Sequence, residues 1–255
     1  MKATYRFADQ TISVNTTYSD THTLCRDYRT GDHAGIEVLI SRQDIEFERL
    51  KSEREEMIKG GMWSNKTDGY LETLAVYRKI AEIMPYYNTI LFHGSCVAVD
   101  GEGYLFTAKS GTGKSTHTGL WRQLLGERAI MVNDDKPLIR VSDTAAVAYG
   151  TPWDGKHRLS TNMAVPLKAI CLLGRSEENH IETITASDAY PILLQQTYRP
   201  SDPTALRRTI SLLDWLSVRV RLYRLGCNMN LDAAAVSYEI MRGSEHETEK
   251  NIYHT

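Results

Sequence analysis

The chain has 255 residues, of which 42% are hydrophobic, and a formal net charge of -2 at pH 7. This length and apolar content suffice for a full core in one large domain or two small ones. The near-neutral charge gives no electrostatic case for nucleic acid, because proteins that bind DNA or RNA usually carry a strongly basic face.

Cysteine usage and hydropathy favour a soluble, cytoplasmic protein. The four cysteines are scattered without C-x-x-C spacing, which predicts neither a zinc site nor a disulfide framework. The N-terminal sequence MKATYRFADQ lacks the apolar segment of a signal peptide, and no run approaches the about 18 apolar residues of a membrane helix. We expect no membrane or nucleic-acid partner, and the composition leaves the oligomeric state open, a homo-oligomer included.

The first third of the chain predicts a small α+β region. Short alternating pieces, TYRFADQTISV and GIEVLIS, predict an antiparallel sheet within residues 1–42. RQDIEFERLKSEREEMIKGG predicts a helix whose charged residues face solvent and which stops at Gly60–Gly61. LETLAVYRKIAEIMP predicts a second helix that ends at Pro85 and bridges two halves of the chain. We therefore expect an N-terminal α+β region over residues 1–85 and a catalytic domain over residues 86–255.

The rest of the chain predicts an α/β fold with a mixed sheet. NTILFHGSCVAVDGEGYLFTA predicts two strands, a DGEG turn and a third strand, since Asp-Gly between alternating apolar runs is a strong hairpin signal. Further strands are predicted at AIMV, VPLKAICLLG and VRVRLY, and helices at SDPTALRRTISLLDWL and NLDAAAVSYEIM.

The segment AKSGTGKS, residues 108–115, lies between a predicted strand and the helical THTGLWRQLL. It fits the phosphate-binding pattern at every fixed position except the first, where Ala108 replaces glycine. In such a loop the backbone N–H groups face the phosphates, Lys114 adds a positive charge and Ser115 offers a hydroxyl to Mg²⁺. We expect ATP and Mg²⁺ as cofactors, with these nucleotide-binding residues: Ser110, Gly111, Thr112, Gly113, Lys114, Ser115 and Thr116. The alternative is a glycine-rich turn that binds nothing.

Two acidic residues follow the apolar strand AIMV. Asp134 comes nineteen residues after Ser115, and Asp135 is next to it. Neighbouring residues of a strand point to opposite faces, so one carboxylate can reach the metal and the other an attacking hydroxyl. Alternatively, Asp135 caps a turn before Lys136–Pro137.

Two further places are candidates for the site. His93 precedes the predicted hairpin, and on its own it indicates a half-buried structural histidine. The loop GTPWDGKHR offers Asp154 as a metal contact, and Lys156 or Arg158 to neutralise charge on a transferred phosphoryl group. The alternative for this loop is a surface turn without a chemical role.

FHGSCVAVDGEGYLFTAKSGTGKST followed by VNDDKP resembles the HPr kinase/phosphorylase and phosphoenolpyruvate carboxykinase superfamily, and especially its small HPr-kinase-like serine kinases. The resemblance covers about residues 90–140, and GTPWDGK and VPLKAICLLGR are similar to small relatives. It implies a P-loop kinase of this type. It also implies that His93 lies at the active site, that Asp134 is the base toward a serine hydroxyl, and that a loop hydroxyl and acidic residues hold the metal.

The chain also differs from the larger members of that superfamily. It is far shorter than the carboxykinases and has no clear equivalents of their oxaloacetate-binding arginines, and TPWDGKHR replaces the acidic signature loop of HPr kinases. We expect an ATP-dependent kinase whose acceptor is a hydroxyl, of serine in a peptide or protein or of free serine. The expected catalytic residues are Asp134, His93, Lys114 and Lys156, and the expected metal contacts are Ser115, Asp135 and Asp154. The alternatives are a nucleotide-binding regulatory module with little or no transferase activity and a reduced carboxykinase-like enzyme.

Overall fold

The computed structural model describes residues 1–58, 60, 65–155 and 157–243. Its strands are β1 (Lys2–Phe7), β2 (Gln10–Asn15), β3 (Ile36–Leu39), β4 (Thr89–Leu91), β5 (Ser95–Val99), β6 (Glu102–Thr107), β7 (Ala129–Asn133), β8 (Leu138–Val141), β9 (Ala146–Tyr149), β10 (Ala164–Arg175), β11 (His180–Thr183) and β12 (Arg221–Cys227). Its α-helices are α1 (Asp20–Leu24), α2 (Arg42–Ile58), α3 (Asp68–Ile83), α4 (Lys114–Leu125), α5 (Ala186–Gln196), α6 (Pro203–Arg219) and α7 (Leu231–Arg242). Short 3₁₀ turns cover Arg26–Tyr28, Met84–Tyr87 and Gly126–Arg128. In these described ranges no helix is both long enough and apolar enough to cross a membrane.

The N-terminal strands form a three-stranded sheet that is mixed, whereas the sequence predicted an antiparallel one. β1 and β2 form a hairpin, but β3 pairs parallel to β2, with Ile36 opposite Ile12. The polar stretch before β3 contains α1 and the 3₁₀ turn at Arg26–Tyr28. A crossover of this length allows the chain to return in the same direction, which a short turn cannot do.

Within the described residues, the second sheet has nine strands and makes the protein an α/β protein with mixed sheets. Its main order is β4-β8-β9-β10-β6-β5-β7, and β12 pairs with β10 and with β11. The long strand β10 pairs differently along its length. Its first residues pair antiparallel with β9, and the rest pairs parallel with β6 and β12.

The directions of three strands bring separate sequence segments to one edge of this sheet. β5 is antiparallel to β6 and also to β7. β6 and β7 therefore end at the edge where β5 begins. The 108–115 loop follows β6, Asp134 follows β7, and His93 precedes β5. Side chains that are far apart in sequence are thereby brought together, as at the carboxyl edge of other α/β sheets.

Helix α3 packs against both sheets. Val76 and Ile80 belong to a core cluster that contains Phe7 from the small sheet and Leu91 and Leu138 from the large one. The expected division of the chain at residue 85 stays a prediction.

The charged helix α2 is less exposed than its sequence predicted. Arg78 of α3 donates from Nε to Glu48 at 2.5 Å and from Nη2 to Asp44 at 3.2 Å, and Lys79 Nζ lies 2.8 Å from Asp44. Glu48 is buried, whereas the apolar Leu50 is exposed. Paired charges thus hold α2 on α3 in place of an apolar stripe.

The predicted strand VRVRLY begins three residues too early. Helix α6 continues to Arg219, and β12 starts at Arg221, which pairs with Ala169 of β10. Asp202 caps α6 by accepting a hydrogen bond from Ala205 N, and Leu213 and Leu216 on its inner face belong to the core. Helical packing therefore overrides the local alternation of apolar residues.

A buried polar contact joins α4 to α7. His117 Nε2 lies 3.0 Å from Ser237 Oγ, which also accepts a hydrogen bond from Trp121 Nε1 at 2.8 Å. Ser237 Oγ lies 2.9 Å from the Ala233 carbonyl, to which it donates its proton. The His117 ring must then be the donor to Ser237. Burial lowers the pKa of His117 to about 4.

His117 should make stability depend on pH between about 4 and about 6.5, the ordinary histidine pKa. In this window the unfolded chain binds a proton that the folded protein excludes, so stability falls as the pH falls. The shift corresponds to about 3 kcal/mol between the ends of the window. We expect His117→Gln, which keeps a donor for Ser237, to lose less unfolding free energy than wild type between pH 7 and pH 4, measured by urea unfolding. Parallel curves for the two proteins would contradict this account.

Candidate active site

The 108–115 loop joins β6 directly to the N-terminus of α4. Gly111 and Gly113 have φ of 79° and 122°. A Cβ added at either would meet nothing within 4 Å, so the backbone conformation, rather than lack of space, requires glycine at both positions. The first N–H groups of a helix have no partner within it, and in α4 they belong to Lys114, Ser115 and Thr116. The segment is therefore suited to an anionic group.

Lys114 lies inside this loop. Its side chain is buried, and Nζ donates to the Ala108 carbonyl at 3.2 Å. Burial lowers the pKa of Lys114, while the negative charges of Asp135 and Asp134 act in the opposite direction. Ala108 itself packs into the core below the loop, which explains how alanine is accommodated where the pattern has glycine.

Asn133, which the sequence analysis did not single out, organises the double-aspartate turn. Its Oδ1 accepts hydrogen bonds from the backbone N–H groups of Asp135 at 2.9 Å and Lys136 at 2.5 Å. Its Nδ2 donates to the Thr151 carbonyl at 2.9 Å. The side chain thereby ties the end of β7 to the loop after β9. An asparagine just before a turn is a local signal for such bonds, but its link to Thr151 depends on the fold.

Asp134 is held from the other side by Ser95, which the sequence analysis also missed. Asp134 is 4% exposed, and Ser95 Oγ donates to its Oδ1. Ser95 Oγ also lies 3.2 Å from Thr118 Oγ1 on α4. Nothing in the local sequence indicates this contact, because it arises from the pairing of β5 with β7. The Asp134 carboxylate is thus joined to the helix that carries Lys114 and Ser115.

Asp135 faces different partners from Asp134, although β7 ends at Asn133 and both aspartates lie in the turn after it, not on a strand as the sequence had predicted. Its Oδ1 lies 3.2 Å from His93 Nε2 and 3.7 Å from Lys136 Nζ. Burial alone would raise the pKa of Asp135, but the hydrogen bond from His93 and the charges of Lys136 and Lys114 outweigh it and lower the pKa. Burial also lowers the pKa of Lys136. His93 is therefore part of a cluster of charged groups and not an isolated histidine.

The loop after β9 supplies Asp154 and a close contact to Asp134. Ser160 Oγ donates to Asp154 Oδ2 at 3.0 Å, Arg158 Nη1 lies 3.8 Å from Oδ1, and burial raises the pKa of Asp154. A Cβ added to Gly155 would lie 3.2 Å from Asp134 Oδ2, so this backbone packs directly on the carboxylate. Lys156, predicted as a catalytic residue, lies outside the described residues.

These segments line one cleft of about 1460 Å³. Of the predicted site residues, it brings together His93, Ser110, Gly111, Gly113, Lys114, Ser115, Thr116, Asp134, Asp135 and Asp154. Thr112 is not among its lining residues, and its hydroxyl donates to the Lys109 carbonyl at 2.8 Å. The opposite side of the cleft is formed by residues 19–28 and by the face of α3 from Tyr70 to Tyr77. We call this surface the N-terminal wall.

The carboxylates suit a cation that takes only part of its ligands from protein. In the part of the chain that the structure describes, no three His, Cys, Asp or Glu residues are grouped closely enough to hold a metal ion. Mg²⁺ normally uses one or two carboxylates together with substrate phosphates and water, so it does not need such a group.

The four cysteines, all within the described residues, form no disulfide bonds. Three of them are buried, and Cys227 is partly buried.

The fold and cleft define an α/β protein with a candidate anion-binding site at one edge of its larger sheet. The chain belongs to the ScmC family, described as SynChlorMet cassette protein ScmC, whose profile matches residues 64–230, more than half of the chain. A solved structure with some likeness is the HPr(Ser) kinase/phosphatase from Coxiella burnetii, which is 11% identical, with a TM-score of 0.33 over 60% of this chain and 99% of that chain. This similarity is too low to indicate either the fold or the activity of the present chain. No curated protein sequence matches it.

The contact between Ser95 and Asp134 should contribute to stability. Ser95→Ala removes the donor and leaves a buried carboxylate oxygen unpaired, which costs about 1–3 kcal/mol. We expect a loss of unfolding free energy in this range in urea at pH 7. Ser217→Ala is the matched control, because this buried serine donates only to the Asp214 carbonyl of its own helix and should cost less.

A double-mutant cycle isolates the interaction itself. When Asp134 is already alanine, Ser95→Ala should cost clearly less than it does in wild type. An equal loss in the two backgrounds would show that Ser95 does not act through Asp134.

Proposed function

We propose that the protein is an ATP-dependent phosphotransferase that moves the γ-phosphoryl group to a serine hydroxyl, in a peptide or protein or in free serine. The proposal rests on one observation: residues of the 108–115 loop, Lys114 among them, line the same cleft as the two aspartates. Phosphoryl transfer depends mainly on positioning and on stabilising charge, and the cleft offers groups for both tasks.

The 108–115 loop is the proposed site of the triphosphate. Its backbone N–H groups and the Lys114 ammonium would contact phosphate oxygens at the start of α4. Ser115 and Asp135 would hold Mg²⁺ with the phosphates, and Asp154 is a further candidate contact. When bound, the ion neutralises charge on the phosphates during transfer.

Asp134 is the proposed base. It would take the proton of the acceptor hydroxyl as that oxygen bonds to the γ-phosphorus, while the bond from phosphorus to the bridging oxygen breaks and ADP leaves. Ser95 supports this role by holding Oδ1 in place, and Gly155 lies against Oδ2. Lys114 and His93, together with Lys156 as the sequence predicts, would stabilise charge on the transferred group.

The test uses γ-labelled ATP, Mg²⁺ and two acceptors, a mixture of nonapeptides with a central serine and free L-serine. Mass spectrometry of the acceptors should find phosphate on the hydroxyl.

Asp134→Asn should keep Mg-ATP affinity within a few-fold and cut transfer by roughly 10² to 10⁴, the usual loss of general-base help. Asp135→Asn should weaken Mg²⁺-dependent nucleotide binding, and excess Mg²⁺ should recover part of its activity.

Asp143→Asn is the control for the loss of one carboxylate, because Asp143 is exposed in a turn outside the cleft. It should behave as wild type. Equal rescue of Asp134→Asn and Asp135→Asn by Mg²⁺ would contradict the division of roles. Nucleotide binding without phosphate on either acceptor would favour a regulatory module, and Mg²⁺-dependent decarboxylation of oxaloacetate would favour a carboxykinase-like enzyme.

A further inference from the structure

The cleft is larger than one nucleotide needs. Sites for small molecules typically have about 300–1,000 Å³, whereas this cleft has about 1460 Å³. The residues proposed to hold the triphosphate all lie on the side of the large sheet. The additional space is therefore bounded on its far side by the N-terminal wall.

The N-terminal wall is attached directly to the loop that packs on Asp134. Asn162 Nδ2 donates to the Asp27 carbonyl at 2.7 Å, and Trp153 Nε1 donates to the Thr73 carbonyl at 3.2 Å. The Trp153 ring also packs on Phe7 and Tyr77, with centroid distances of 5.4 and 5.5 Å. Trp153 is close in sequence to Gly155, where an added Cβ would lie 3.2 Å from Asp134 Oδ2. The wall therefore has a set position relative to the proposed base.

The surface of the wall offers varied contacts. The side chains of Arg26 and Asp27 are 77% and 72% exposed, and they lie 3.4 Å from each other. Tyr70 is exposed, while Leu24 and Leu74 are partly so. Tyrosine, arginine and apolar groups on one face are typical of surfaces that bind polypeptides. A free serine at Asp134 would be too small to fill this space and contact the wall as well.

We infer that the N-terminal wall binds the phosphoryl acceptor, and that this acceptor is an extended polypeptide segment carrying the serine. The inference rests on the proposed function and assigns the second substrate to a definite surface. The serine lies at Asp134, and its flanking residues contact the wall between Thr23 and Asp27 and on the face of α3. The N-terminal region is then part of the active site.

Two variants change the wall without touching the 108–115 loop. Thr23→Trp fills space next to Leu24, and the exchange Arg26→Asp with Asp27→Arg inverts the local charge order at constant net charge. With the nonapeptide mixture as acceptor, each should lower kcat/KM at least tenfold while the Kd of Mg-ATP stays within twofold. Val218→Trp on α6 is the control, because Val218 is exposed and does not line the cleft.

A second measurement does not depend on transfer. Nonapeptides with a photoreactive benzoylphenylalanine two residues from the serine should cross-link, in wild type, to residues 19–28 or 70–77. Wild type should also prefer the peptides to L-serine by at least 100-fold in kcat/KM. Peptide phosphorylation that is unchanged in both wall variants, cross-links that map elsewhere, or transfer to L-serine alone would overturn the inference and leave the proposed kinase function standing. Mg-ATP binding without transfer to either acceptor would instead remove the proposed function itself, and the inference with it.

Discussion

Strand β5 lies between β6 and β7 and is antiparallel to both. All five of its residues are buried, so the register on each side is set by packing on both faces of the sheet. A shift of one residue would turn the buried side chains of one face to the other and would also move Ser95 away from Asp134. The position of the loop, the aspartates and His93 at one edge depends on this pairing.

A polar network at that edge then holds the carboxylates. Ser95 and Asn133 are fully buried, and each has partners from two different segments. A buried polar group without a partner is costly, so these bonds favour one arrangement of the turn over others. The result is a cleft in which Asp134 and Asp135, adjacent in sequence, have separate surroundings. This separation is what allows two roles to be proposed for them.

The parts of the site that could be predicted are those with local signals. The glycines of the 108–115 loop, the DGEG hairpin and the pair of aspartates after an apolar strand each depend on a few neighbouring residues. Ser95 and the bond from Asn133 to Thr151 could not be predicted, because they depend on which strands pair. The N-terminal wall was missed for a similar reason, since its helix α1 has only five residues and few signals within a polar stretch. The predicted end of α6 was wrong, because the packing of this helix in the core outweighed the local alternation of apolar residues.

The proposed function requires the cleft to bind a nucleoside triphosphate through the 108–115 loop. This binding can be measured by isothermal titration calorimetry of the protein with Mg-ATP, with Lys114→Ala as the variant and Lys168→Ala, whose lysine pairs with Glu102, as the matched control. We predict saturable binding in wild type and in Lys168→Ala, and an affinity at least tenfold weaker, about 1.4 kcal/mol, in a folded Lys114→Ala. An absence of binding heat in wild type at several temperatures, or equal affinity in all three proteins, would contradict the account.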